Sequence, residues 1–272
     1  MRLFYLLLML ILLLFSQHII AQGGAAGGPV VQADTLRPGK AGLAARNLKP
    51  GLRQYLVCYQ NPKSNRQLSF WYWLRDIAIE KQQGKDVFVI TQQWYGSDTS
   101  TYRSVYSINQ AGDFAPLYHQ EQVRGKLSAY KWKADGIAGA DSVEGNAHKG
   151  FNLAFPEPNY NWNLDIETFE MLPLAEGKAF LINFYDAGLD TPRYVRYAVT
   201  GSEKIRLLDG QKTDCWKLHA EEKDKGIVFS GTYWISKKDH QFLKEEDHFN
   251  GMTRYKIRMP DMMPDIRTGF DR

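Results

Sequence analysis

From position 51 to 260 the chain is rich in Tyr, Trp, Phe, Val, Ile and Thr, and turn residues interrupt it about every 8–15 positions. That rhythm predicts an antiparallel, all-β domain rather than a helical one. Candidate strands run 53–60, 67–80, 85–95, 101–109, 114–123, 126–134, 178–185, 193–200, 203–209, 212–222, 226–236, 241–249 and 252–259. Alternation is clearest in 178–185, where Phe180, Ile182 and Phe184 share one face. Links such as Lys237-Lys238-Asp239 and Asn250-Gly251 fit hairpin turns. One stretch breaks the pattern. Trp162, Ile166, Phe169 and Leu172 recur at helical spacing and Pro173 follows, which predicts one amphipathic helix near 162–171. Asn161 or Asn163 is its candidate cap, and Asp165 and Glu167 suit its positive end.

Two runs of strands flank that helix, over 51–160 and 175–260. Gly84 and Gly210 lie 126 positions apart, as do Leu117 and Leu243, and Gly125 and Gly251. An internal duplication is one reading of this spacing; coincidence among similar hairpins is the other. The segment Ser69-Phe70-Trp71-Tyr72-Trp73-Leu74 is large and apolar on both parities, and Val87 to Ile90 and Tyr233-Trp234-Ile235 behave similarly. A strand with one wet face alternates, so these strands are expected to be covered on both faces. The helix covers one; a closing sheet, a partner or a bound apolar ligand covers the other.

The N-terminus reads as an address. Arg2, an apolar run from Leu3 to Phe15 and a small residue at Ala21 form a signal-peptide pattern over 1–21, with cleavage near Ala21. A periplasmic or secreted protein is expected, with no transmembrane segment in the mature chain. Residues 22–50, which open on Gly23-Gly24-Ala25-Ala26-Gly27-Gly28-Pro29, read as a flexible tether. Residues 51–260 read as a single β-domain, and 261–272 as a loose tail. Cys58 and Cys215 are the only cysteines. The compartment permits a disulfide, and spacing alone leaves open whether they pair. A formal charge of +4 across the chain is too small and dispersed to point to nucleic acid.

The runs Leu172-Pro173-Leu174, Gly177-Lys178, Ile182-Asn183-Phe184-Tyr185 and Val199-Thr200-Gly201-Ser202-Glu203 are family-like signatures. So are Asp214-Cys215-Trp216-Lys217-Leu218, Trp234-Ile235-Ser236-Lys237-Lys238 and Phe242-Leu243-Lys244-Glu245-Glu246. Together they resemble the secreted bacterial family called domain of unknown function 3108, over roughly 50–260. The resemblance implies a curved antiparallel half-barrel wrapped over a helix, like the periplasmic lipoprotein-localisation factors, whose concave face holds acyl chains. It supplies no catalytic residues.

Signals for catalysis are sparse. There is no Gly-x-Ser-x-Gly elbow and no phosphate-binding Gly-rich loop ending in Lys-Ser/Thr. His240 and His248 sit about 25 Å apart on an extended strand, too far for one metal. Cys215 and His219 are about 13 Å apart on the same reckoning. Glu221-Glu222 and Glu245-Glu246-Asp247 alternate faces, so neighbouring carboxylates in them make no acid/base dyad, and a long-range pairing of Glu170 with Glu203 has nothing to support it. No cofactor, no metal and no enzymatic activity are expected. The leading expectation is a periplasmic protein that binds a lipid-like, apolar or amphipathic small molecule in a curved sheet, with Trp71, Trp73, Trp94 and Trp234 as lining residues. The alternatives are an envelope assembly module that binds a protein partner, and a secreted enzyme acting on glycans, which requires two carboxyl groups about 5–10 Å apart in a cleft.

Overall fold

The computed structural model describes residues 32–40, 42–61, 68–189, 191–224, 227–261 and 264–265. The leader expected over 1–21, the first part of the tether and most of the tail lie outside these residues. Within them the protein is mostly β. The first strands are β1 (Ala33–Leu36), β2 (Gly51–Gln60), β3 (Leu68–Gln82), β4 (Lys85–Tyr95), β5 (Arg103–Gln110), β6 (Pro116–Val123) and β7 (Lys126–Lys133). Short strands β8 (Gly136–Gly139), β9 (Asn152–Ala154) and β10 (Tyr160–Asn161) follow. After the helix come β11 (Ala179–Tyr185), β12 (Arg193–Arg206), β13 (Lys212–Asp224), β14 (Ile227–Ser236), β15 (Phe242–Phe249) and β16 (Met252–Arg258). All belong to one open sheet in the order β1-β11-β12-β13-β14-β15-β16-β2-β3-β4-β5-β6-β7-β8-β9, with β10 beside β11. Every pairing is antiparallel except those of β1 and β10 with β11. The two segments expected at 193–200 and 203–209 are one strand, β12, whose register slips between Val199 and Ser202.

The sheet curls around the helix. Asn161 supplies the cap, its side chain accepting from the backbone N–H of Asn163. A 3₁₀ turn at Trp162–Leu164 leads into α1 (Asp165–Glu170). Ile166 and Phe169 are completely buried, in one core with Tyr55, Val57, Trp73 and Phe88 from one run of strands and Phe180, Phe184, Tyr197, Tyr233 and Phe242 from the other. Phe169 touches the rings of Tyr197 and Tyr233 at 4.9 and 4.8 Å. The concavity is therefore filled by the protein's own side chains. Fully burying a residue of this size contributes about 1.5–3 kcal/mol.

The two six-strand runs share local geometry. Arg124-Gly125 and Asn250-Gly251 both turn through positive φ, and so do Phe114 (60°) and His240 (59°). The ladder slips between Ile108 and Asn109 and between Trp234 and Ile235. The N–H of Gln110 donates to the Ala115 carbonyl as that of Ser236 does to Gln241. Each pair is 126 positions apart. Where β16 meets β2 the runs join by a full ladder. On the opposite side, β7 meets β11 through side chains: Trp132, Phe155 and Tyr185 pack ring to ring at 5.1–6.2 Å.

The tether expected over 22–50 is corrected where it is described. Ala33–Leu36 pairs with Ala179–Ile182, and Leu36 and Leu48 are each 2% exposed in the main core. The N–H of Ala44 donates to the Met171 carbonyl, and that of Gly39 to the Asp113 carboxylate. Leucines at 36, 43 and 48 give this stretch apolar surface to bury, which the Gly/Ala run before it lacks. Cys58 and Cys215 are both free, Cys58 half-buried and Cys215 buried.

Candidate functional site

Strand parity decides what lies inside. On β15, Glu245 and Asp247 point inward, and their register partners on β16 are Lys256 and Arg254. Lys256 Nζ donates to Glu245 at 2.5 Å and sits 4.4 Å from the Trp73 ring centre. Arg254 donates to both carboxylates. Both acids are fully buried. Burial alone would raise the Glu245 carboxyl, but Lys256 and Arg254 hold it below the usual carboxylate range. Burial raises Asp247 well above its ordinary value against the pull of Arg254, and the neighbouring Glu245 adds to the rise. Gly231 lies opposite Asp247, where a Cβ would come within 2.7 Å of Oδ1 and 2.6 Å of the Tyr233 hydroxyl. A second buried set fixes the helix: Glu167 pairs with Arg75 at 2.8 Å and Glu170 with Arg53 at 3.0 Å. Glu203 lies elsewhere, accepting from Trp234, so the structure does not bring Glu170 and Glu203 together.

The ends of several strands bring a ring of partly exposed side chains to one end of this interior. Phe229, Phe249, Tyr59 and Trp71 form an arc across β14, β15, β2 and β3. Tyr59 meets Trp71 edge-on at 5.1 Å and Phe249 at 6.4 Å. Gly96 leaves room for Trp71; a Cβ there would lie 2.8 Å from the indole nitrogen. Each side of the arc carries a guanidinium held on an indole. Arg103 sits 4.3 Å from the Trp94 centre and donates to Glu121 and to the Asn163 side chain, both at 2.6 Å. Arg193 sits 4.7 Å from the Trp162 centre and pairs with Glu222 at 3.0 Å. The two posts converge on the Trp162-Asn163 dipeptide that opens the helix.

Three of the four expected lining residues meet here. Trp71 and Trp94 are partly exposed, and Trp73 is buried beneath, stacked on Trp94 at 3.7 Å. Trp234 does not join them. Tyr233 and Ile235 take the inward positions of β14, so Trp234 faces outward into a small cluster with Cys215 and Leu243. Immediate neighbours in Glu245-Glu246-Asp247 lie on opposite faces, so adjacency does not reveal the ionic set. The informative relation is i, i+2: Glu245 with Asp247, and Arg254 with Lys256 and Arg258.

Two depressions lie elsewhere on the described surface. One depression of about 190 Å³ lies along Thr91–Gln93, Ser104–Tyr106 and Gln120–Gln122, and another of about 280 Å³ lies among Leu207, Leu208, Leu243 and Met259. Both fall below the ~300–1,000 Å³ usual for enclosed small-molecule sites. Among the described residues no group of three His, Cys, Asp or Glu side chains is placed to hold a metal, and no helix is long and apolar enough to cross a membrane.

Comparison with curated proteins gives no match. Among solved structures, the chain is similar to a β-barrel-like protein of the domain of unknown function DUF1849 from Brucella abortus, at 9% identity, over 77% of this chain and 97% of that one, with a TM-score of 0.46. The family model described as protein of unknown function (DUF3108) matches residues 68–269, and the chain belongs to that family.

Proposed function

We propose that the protein is a non-enzymatic, extracytoplasmic binding protein whose ligand is amphipathic and lipid-like, and that the ligand lies across the aromatic ring instead of threading the sheet. The observation that carries this reading is the arc Phe229, Phe249, Tyr59 and Trp71: large rings left partly open at the end of an otherwise closed interior. Full burial contributes about 0.8 kcal/mol per CH₂, and a chain lying on a rim buries about half its surface. A 12-carbon chain then gains on the order of 5 kcal/mol before ordering costs, which corresponds to weak, exchangeable binding. The paired carboxylates Glu245 and Asp247 do not favour a glycosidase, because both are fully buried and neither faces a cleft.

The test is native mass spectrometry of the mature protein from periplasm, followed by organic extraction. An added mass that enters the organic phase, and is lost in Trp71→Ala, is the expected result. An apo mass, with tryptophan emission unchanged on adding amphiphile, overturns the reading and favours a protein partner.

A further inference from the structure

We infer that the polar part of the ligand is a neutral polyhydroxylated head, a glycosyl group, seated between the two guanidinium–carboxylate posts. This rests on the reading of the ring as an amphiphile site and names the chemistry of its head. The posts are Arg103–Glu121 and Arg193–Glu222. Each guanidinium is fixed over an indole and neutralised by its carboxylate, yet all four groups stay partly exposed, at 22% and 24% for one post and 42% and 25% for the other.

That pairing decides between head groups. A phosphate or carboxylate head would approach Glu121 or Glu222 as a like charge, an ammonium head would meet Arg103 or Arg193 in the same way, and a zwitterionic head would give up the hydration of two full charges to compete with ion pairs that already satisfy each other. A neutral head with vicinal hydroxyls suits both members of a post. Its O–H groups donate to the carboxylate, and its oxygens accept from the guanidinium. The arc between the posts supplies the complementary contact. The C–H faces of a pyranose carry slight positive charge and lie favourably on the negative faces of aromatic rings. Trp94 and Trp162 have both faces taken, by Trp73 and Arg103 and by Phe184 and Arg193. Stacking therefore falls to Tyr59, Trp71, Phe249 and Phe229. In the set beneath, Lys256 is paired with Glu245, and Arg254 with Glu245 and Asp247, so its groups are engaged with one another.

The experiment titrates the mature protein, read by tryptophan emission, with three probes: dodecyl maltoside and dodecylphosphocholine, each below its micelle concentration, and maltose. The expected result is at least tenfold tighter binding of the maltoside than of the phosphocholine, with maltose alone undetected at millimolar concentration. In Glu222→Leu and, separately, Glu121→Leu, maltoside affinity should fall toward that of the phosphocholine, whose own affinity is unchanged or rises. Two variants on different strands guard against one that fails to fold. Equal or tighter binding of the phosphocholine overturns the glycosyl inference and leaves the amphiphile reading standing. Binding of maltose as tight as that of its alkyl derivative supports the head-group inference and overturns the lipid-like reading. No binding of any probe overturns both.

Discussion

His119 gives the structure a measurable acid sensitivity. It lies on the inner face of β6, 1% exposed, with Nδ1 3.0 Å from the Ser107 hydroxyl and 3.0 Å from the Asn161 amide. Nε2 has no protein partner. Burial lowers its pKa from 6.5 to about 4, Glu121 partly opposing and Arg103 adding to the fall. The folded state thus keeps the ring neutral where the unfolded chain takes up a proton. Stability from this group is present above pH 6.5 and is lost as pH falls toward 4. The loss between pH 7 and pH 5 is about 2 kcal/mol. Glu170 acts in the opposite direction. Burial raises it from 4.5 to about 6 against Arg53, so the folded state is protonated first and gains about 1 kcal/mol over the same interval. Glu170 offsets about half of the loss, and Asp186, which burial raises to about 6, opposes it in the same sense, so the wild-type curve alone tells little. The informative quantity is the difference between wild type and His119→Gln in urea unfolding, followed by tryptophan emission at pH 7 and pH 5. His119→Gln should lose about 2 kcal/mol less than wild type on going to pH 5, whatever fixed cost the substitution carries. An identical difference at both pH values would refute the reasoning, as would a His119 imidazole that titrates near 6.5 by NMR in the native protein.

Four further outcomes are expected. Glu245→Gln leaves the Lys256 ammonium buried without its carboxylate and should cost about 3–5 kcal/mol in denaturant unfolding; a cost under 1 kcal/mol would mean that water reaches the pair. Gly231→Ala places a methyl against Asp247 and the Tyr233 hydroxyl and should cost about 1–3 kcal/mol, whereas a neutral effect would show that β14 shifts freely. Leu36→Ala should cost about 2–5 kcal/mol and speed amide exchange at 179–182; unchanged exchange there would detach β1 from the fold. Cys58 should react with a thiol reagent in the native protein, while Cys215, its thiol pushed up to about 12 by burial, should react only on unfolding; equal rates would contradict the placement.

The fold was legible where hydrophobic period and turn chemistry agree. Lys85–Tyr95 was found at its observed ends, and the helix emerged from the stripe Trp162, Ile166 and Phe169. Strands too short to show a period, such as Asn152–Ala154 and Tyr160–Asn161, carried no such signal. The ionic interior is hidden from the sequence for a different reason. Alternation assigns charged parity to water, but β16 turns Arg254, Lys256 and Arg258 inward, the first two to meet Glu245 and Asp247 on β15 and the third paired with Asp261, and its neutral parity faces out. A single strand cannot reveal that inversion, because it depends on a partner strand carrying opposite charge at matched register. The aromatic richness was informative about place more than role: Trp71, Trp73 and Trp94 converge, whereas Trp234 differs from them by parity alone.

The junction of β16 with β2 has a consequence in time. Thr253 pairs with Gln60, so the ladder that unites the two runs of strands closes a loop of 193 positions in a chain of 272. During synthesis, β2 has an open edge until residues 252–258 emerge, and β1 waits on Ala179 for its own partner. The closing step therefore waits for residues 252–258, and the high sequence separation of its contacts makes it slow relative to the local hairpins. A chain ending before residue 252 would hold β2 as a bare strand edge, the form most prone to pair with another molecule.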